Sequence, residues 1–196
     1  MTAPPRPIAR PFVTIVSGAP RSGTSMMMRM LAAGGLEPLT DNIRAPDRDN
    51  PNGYFEFEPV KRTKEDPSWV PSATGRAVKM VHLLLRDLPP AGPYRVVLMR
   101  RKLDEMVASQ RRMLERLGRD PGALSDERRA QIFAAQLDDA ERWLAAQPGF
   151  TWMRVDYNAM VADPRPHLER LSEFLGGGLD VDRMAAIVDP DLYRNR

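Results

Sequence analysis

Apolar positions along the chain follow two periodicities. Short, nearly continuous apolar runs recur at Phe12–Val16, Ala77–Val81, Tyr94–Met99 and Phe150–Val155. Runs of this length predict strands; Ala77–Val81 reads as buried, and Tyr94–Met99 has the nearly continuous apolar core that parallel strands show. Helix-period stretches lie between and after them: Ser25–Ala33, Leu103–Leu117, Ser125–Ala146, Pro164–Leu175 and Asp180–Val188. In the longest, Ile132, Phe133, Leu137, Ala140 and Leu144 form one stripe. Gly34-Gly35 and Gln147-Pro148-Gly149 supply stop signals. Strands alternating with helices predict a single α/β domain over residues 12–196, with a mostly parallel sheet flanked by helices on both faces. The proline-rich residues 1–11 read as a flexible lead, Asn50-Pro51-Asn52-Gly53 as a turn and Tyr54–Phe57 as a short extended piece.

Composition narrows the class. A chain of 196 residues, 42% hydrophobic and 28% charged, is long enough for a proper core. Its net charge of +3 is too small to argue for nucleic acid, but suits a local basic pocket for a polyanionic small molecule. The absence of cysteine excludes disulfides and thiolate metal sites, and two histidines leave little scope for a histidine metal centre. No apolar run reaches the ~20 residues that span a bilayer, and the N-terminus lacks an apolar signal core, so a cytoplasmic location is expected.

The chemistry concentrates after the first strand. Phe12–Val16 runs into a small polar turn, Ser17–Thr24, and then into a helix. The spacing Gly18-x4-Gly23-Thr24-Ser25 fits a phosphate-binding loop, with Thr24 where the usual lysine stands and a cation, Arg21, inside the loop instead. Glycines let backbone N–H groups point inward, and the helix start adds unpaired donors and a positive dipole end. Ser22, Thr24 and Ser25 contribute hydroxyls, and Arg21 a guanidinium that grips two oxygens at once. Without the lysine, a metal-dependent triphosphatase is the weaker expectation.

Other residues draw attention by context. Glu56 sits between aromatic residues, where partial burial would suit it to base chemistry, with Glu37 and Glu58 as competitors. Lys79 interrupts an apolar strand and must reach water or a partner. His82 closes that strand as a second candidate base. Arg100-Arg101-Lys102 follow the third strand at its C-terminal end, the edge where open parallel sheets bind ligands.

The run Pro20-Arg21-Ser22-Gly23-Thr24-Ser25 after an apolar strand resembles the phosphosulfate loop of sulfotransferases that use 3′-phosphoadenosine 5′-phosphosulfate (PAPS). The resemblance places Arg21 at the cofactor's 5′-phosphate and bridging oxygen. An arginine at a strand end and a serine eight residues later, Arg101 and Ser109, match the family's 3′-phosphate pair, with Arg100 as an alternative. The strand ending in Tyr157, then Asp163-Pro164 before a helix, is similar too. The chain departs from the family at Lys102, where Asp or Asn is common, and at Asn158, where an acid is usual. It also has two residues between Lys79 and His82 instead of one. The C-terminal Arg-Lys-Gly segment is absent, with Tyr193, Arg194 and Arg196 the nearest substitutes. The resemblance implies a metal-independent transfer of a sulfuryl group from PAPS to a hydroxyl or amine of a small-molecule or glycan acceptor, with Glu56 or His82 as base. The segments 37–59 and 61–76 would shape the acceptor pocket. The rival expectations are an ATP- and Mg²⁺-dependent phosphotransferase and a non-catalytic nucleotide-binding protein.

Overall fold

The computed structural model describes residues 10–41, 43, 53–120 and 122–188. The expectations for residues 1–9, for the turn at Asn50-Pro51-Asn52 and for the tail with Tyr193, Arg194 and Arg196 lie outside the described residues. Four strands, β1 (Val13–Gly18), β2 (Ala77–Val81), β3 (Tyr94–Arg100) and β4 (Phe150–Asp156), form one parallel sheet in the order β2-β1-β3-β4. β1 is central: the chain leaves it to one side to make β2 and to the other to make β3. The ends of the strands on either side of β1 therefore part into a crevice, the usual ligand position in open parallel sheets.

Alternation within the apolar runs explains the two layers. Ile15, Val78 and Val96 share a register row and pack with Met106, Leu137 and Leu144 on one face. Val16, Val97 and Met99 pack with Met27, Met30, Leu168 and Leu171 on the other. The first face is covered by α2 (Leu103–Arg116) and α3 (Asp126–Ala145), the second by α1 (Thr24–Ala33), α5 (Pro164–Phe174) and α6 (Val181–Ala185). A short helix, α4 (Tyr157–Ala162), links β4 to α5, and the Asp156 side chain caps it by accepting from the Ala159 N–H. Residues such as Leu137 and Met30 are fully buried. Truncating one of them to Ala costs about 2–5 kcal/mol.

β4 is an edge strand: Thr151 and Arg154 are exposed, and Arg154 pairs with Glu141 of α3. The structure corrects two local expectations. Tyr54–Phe57 joins no ladder. Thr40 Oγ1 and the Asp41 N–H donate to the Glu56 carbonyl, Lys79 Nζ donates to the Tyr54 carbonyl, and Phe55 takes a left-handed φ of 52°. These contacts hold the segment as a loop beside β2, whose outer edge is bridged at its first residue by Pro38 and Ala77. His82 does not close β2 but opens a 3₁₀ turn, His82–Asp87, because the β1 partner of this strand ends with Gly18 opposite Val81.

Candidate functional site

The loop after β1 is shaped by two glycines that leave no room for a side chain. A Cβ on Gly18 would lie 2.4 Å from Ser22 Oγ and 3.0 Å from the Met99 carbonyl. At Gly23 the backbone is left-handed, φ 97°, and a Cβ would meet Tyr157 Cδ2 at 2.3 Å. Arg21 is left-handed as well, φ 70°, which costs a non-glycine residue on the order of 1–2 kcal/mol. The first ladder bond of α1 runs from the Met27 N–H to the Gly23 carbonyl, so the amides of Thr24, Ser25 and Met26 precede the ladder and sit at the positive end of the helix.

This loop forms one wall of a cavity of about 370 Å³ at the C-terminal ends of β1, β2 and β3. Its charged side chains are Arg21, Arg29, Lys79, Arg101 and Glu56, four cations and one carboxylate, and its apolar walls include Met26, Met80, Met113 and Ile187. Lys79 reaches the cavity from inside the sheet, as a strand lysine must, and its Nζ donates to the Tyr54 carbonyl at 2.7 Å and to Ser25 Oγ at 3.3 Å. The Arg101 guanidinium lies 4.5 Å from the centre of the Tyr157 ring. Burial pushes the Tyr157 phenol above its ordinary value, against the pull of the Arg101 charge. That phenol stays protonated at neutral pH.

The sequence-derived residues fall into two groups. Arg21, Gly23, Thr24, Ser25, Glu56 and Arg101 line the cavity together. Ser22, Ser109 and His82 stand behind its wall. The Ser22 side chain is fully buried beside Gly18, and its Oγ has no hydrogen-bond partner among the described residues. Ser109 is buried and accepts from Arg21 Nε at 2.9 Å. Arg101 and Ser109 are thus joined through Arg21, whose carbonyl accepts from Arg101 Nη1 at 3.3 Å. His82 is 3% exposed, with Nδ1 3.2 Å from the Gly18 carbonyl and Nε2 3.3 Å from Gln136 Oε1.

Competing residues are sorted by direction. Arg100 turns to α3 and pairs with Asp138 and Glu141, leaving Arg101 on the cavity. Glu37 pairs with Arg76, and Glu58 with Lys61, both in exposed positions. Arg29 and Glu105 drew no notice in the sequence, and Tyr157 and Asn158 were noted there only through the resemblance; the structure gives all four a place at the site. Of these, Glu105 had a readable signal, its i,i+4 spacing from Arg101 at the start of a helix. The others depend on contacts between segments far apart in the chain.

The family model described as "Sulfotransferase domain" matches residues 13–190. No curated protein sequence matches the chain. Solved structures do. A sulfotransferase domain from the curacin biosynthetic pathway is 15% identical, with a TM-score of 0.55 over 94% of this chain and 80% of that one. A sulfotransferase from Alicyclobacillus acidocaldarius is 18% identical, TM-score 0.51, over 94% and 89%. A mouse sulfotransferase complexed with PAP is 17% identical, TM-score 0.57, over 91% of this chain and 63% of that one. At these identities the structural likeness speaks for the fold.

Proposed function

The chain belongs to the sulfotransferase domain family, and on that premise we propose that it transfers a sulfuryl group from PAPS to a hydroxyl or amine of a small-molecule or glycan acceptor. The observation that carries this reading is the cavity itself. A glycine-lined loop and the start of α1 present backbone donors, and four cationic side chains converge on the same volume. That donor set fits a nucleotide carrying several phosphate-type groups. Two solved neighbours contain PAP, one of them together with androsterone, which supports the same ligand class here. PAPS supplies the sulfuryl group and departs as 3′,5′-ADP.

The chain's own residues then have distinct tasks. Arg21, anchored through Nε to Ser109, presents its guanidinium where negative charge grows on a departing 5′-phosphate. The amides of Thr24, Ser25 and Met26 and the Lys79 ammonium add fixed donors on the same side. Arg101 holds the 3′-phosphate. Glu56 takes the proton from the acceptor O–H or N–H. It is preferred to His82 because it lines the cavity, whereas both His82 ring nitrogens are engaged behind the wall. His82 acts as a brace between the end of β1 and α3.

Calorimetric titration with 3′,5′-ADP and with ATP, each with and without Mg²⁺, tests the proposal. Tight, metal-independent binding of 3′,5′-ADP, weakened in Arg101→Ala, is the expected result. Preference for ATP with Mg²⁺ would move the reaction to phosphoryl transfer, and binding of neither nucleotide would leave a non-catalytic role.

A further inference from the structure

Behind Arg101 lies a buried polar relay that spans residues 53 positions apart. Arg101 Nε donates to Glu105 Oε2 at 3.0 Å. Asn158 Nδ2 donates to Glu105 Oε1 at 2.9 Å. The Lys102 backbone N–H donates to Asn158 Oδ1 at 3.1 Å. Arg101 and Glu105 side chains are only 8% and 7% exposed. The sense of every bond is determined. The Lys102 amide can only donate, so Asn158 must turn its oxygen there and its NH₂ to Glu105. Arg101 can only donate, so Glu105 must offer two acceptors, one to each neighbour.

We propose that Glu105 and Asn158 are positioning residues that hold the Arg101 guanidinium at the cavity wall and so set recognition of the nucleotide's 3′-phosphate; this rests on the reading of Arg101 given above. An arginine side chain has several soft torsions, and a guanidinium binds a phosphate well only when its planar fork is already oriented. Here one edge is fixed through Nε by Glu105, and Nη1 is tied to the Arg21 carbonyl of the loop. The Tyr157 ring supports one face. Asn158 stands at the start of α4 and Glu105 in α2, so the relay also locks the end of β4 to the end of β3.

The relay makes a reciprocal prediction. Glu105→Gln replaces one acceptor by a donor, which forces a donor–donor contact with either Arg101 or Asn158. Asn158→Asp sets two carboxylates against each other. The double variant E105Q/N158D restores complementarity: the new amide accepts from Arg101 and donates to the new carboxylate, which still accepts from Lys102. All three variants are close to isosteric.

The readout is the ratio of affinities for 3′,5′-ADP and 5′-AMP by calorimetry, with melting temperature followed in parallel. Wild type should favour 3′,5′-ADP, and Arg101→Ala should abolish that preference. Each single relay variant should lower the ratio about tenfold, the worth of one charge-assisted hydrogen bond, with 5′-AMP binding unchanged. The double variant should recover most of the ratio. On an Arg101→Ala background neither relay substitution should change it further. The positioning role is overturned if Arg101→Ala loses the preference while both single variants keep it, or if the double variant is no better than the singles. Asn158→Ala is the fallback for a single variant that does not fold, and retention of the full ratio there overturns the proposal too. A wild type indifferent to the 3′-phosphate overturns the functional reading and the relay's role together.

Discussion

Gly23→Ala is a sharp test of the loop because it carries two separable penalties. The backbone there is left-handed, φ 97°, and the added methyl would lie 2.3 Å from Tyr157 Cδ2 and 2.8 Å from Cε2. The left-handed conformation costs an alanine roughly 1–2 kcal/mol. Forcing a methyl against a buried ring adds about 1–3 kcal/mol, because Tyr157 is itself confined between the loop and Arg101. The total is roughly 2–5 kcal/mol. Gly35 supplies the internal control. It has φ 94°, but a Cβ there meets nothing within 4 Å. Gly35→Ala therefore incurs the conformational cost alone, and the stiffening of the unfolded chain by alanine cancels between the two variants. For a chain of this size each kcal/mol moves the melting temperature ~2–4 °C. Gly35→Ala should lower it by roughly 2–8 °C and Gly23→Ala by roughly 4–20 °C, with 3′,5′-ADP binding weakened only in Gly23→Ala. Equal shifts, with equal binding, would show that the Tyr157 ring yields at no cost. The packing of the loop against α4 would then not be what shapes the loop.

Four further outcomes are expected. Arg21→Ala should reduce kcat by about 10²–10³ in a sulfuryl-transfer assay while the fold persists, as loss of one fixed electrostatic group implies. Arg21→Lys, which keeps the charge, should recover part of it. Glu56→Gln should lower kcat by about 10²–10⁴ with KM little changed. His82→Asn should keep kcat near wild type but cost about 1–3 kcal/mol of stability, since it disturbs buried hydrogen bonds to Gly18 and Gln136; the opposite pattern in progress curves and melts would make His82 the base. Asp41 gives a pH prediction. Burial alone would raise its pKa, but amide hydrogen bonds from Glu58 and Ile43 outweigh it and hold the carboxyl below its ordinary value. A depressed carboxylate stabilises the fold above the unfolded value near ~4, and that contribution is lost as pH falls through the lower folded value. Melting curves of Asp41→Asn across pH should show lower stability at neutral pH and a flatter acid limb.

Local order in this protein is written in local sequence. Apolar runs and helix-period stripes announced all four strands and the helices that cover them, because a strand packed under helices demands a largely apolar run and a striped helix beside it. The tight turn after β1 was equally legible, since only glycine tolerates the close approaches at Gly18 and Gly23. Which side chains meet in the cavity was decided elsewhere. Adjacent residues at a strand end point to opposite sides, so Arg101 faces the cavity while Arg100, the alternative that the sequence left open, pairs with α3. Glu56 is on the cavity wall, and Glu37 and Glu58 are paired outside it, because contacts from Thr40, Asp41 and Lys79 hold the loop in place. The relay from Lys102 through Asn158 and Glu105 to Arg101 exists because β3 and β4 lie side by side. Strand order and register are properties of the whole packed chain. A one-residue change of register reverses every side chain on a strand, so the identity of the site's neighbours was settled only when the sheet closed around β1.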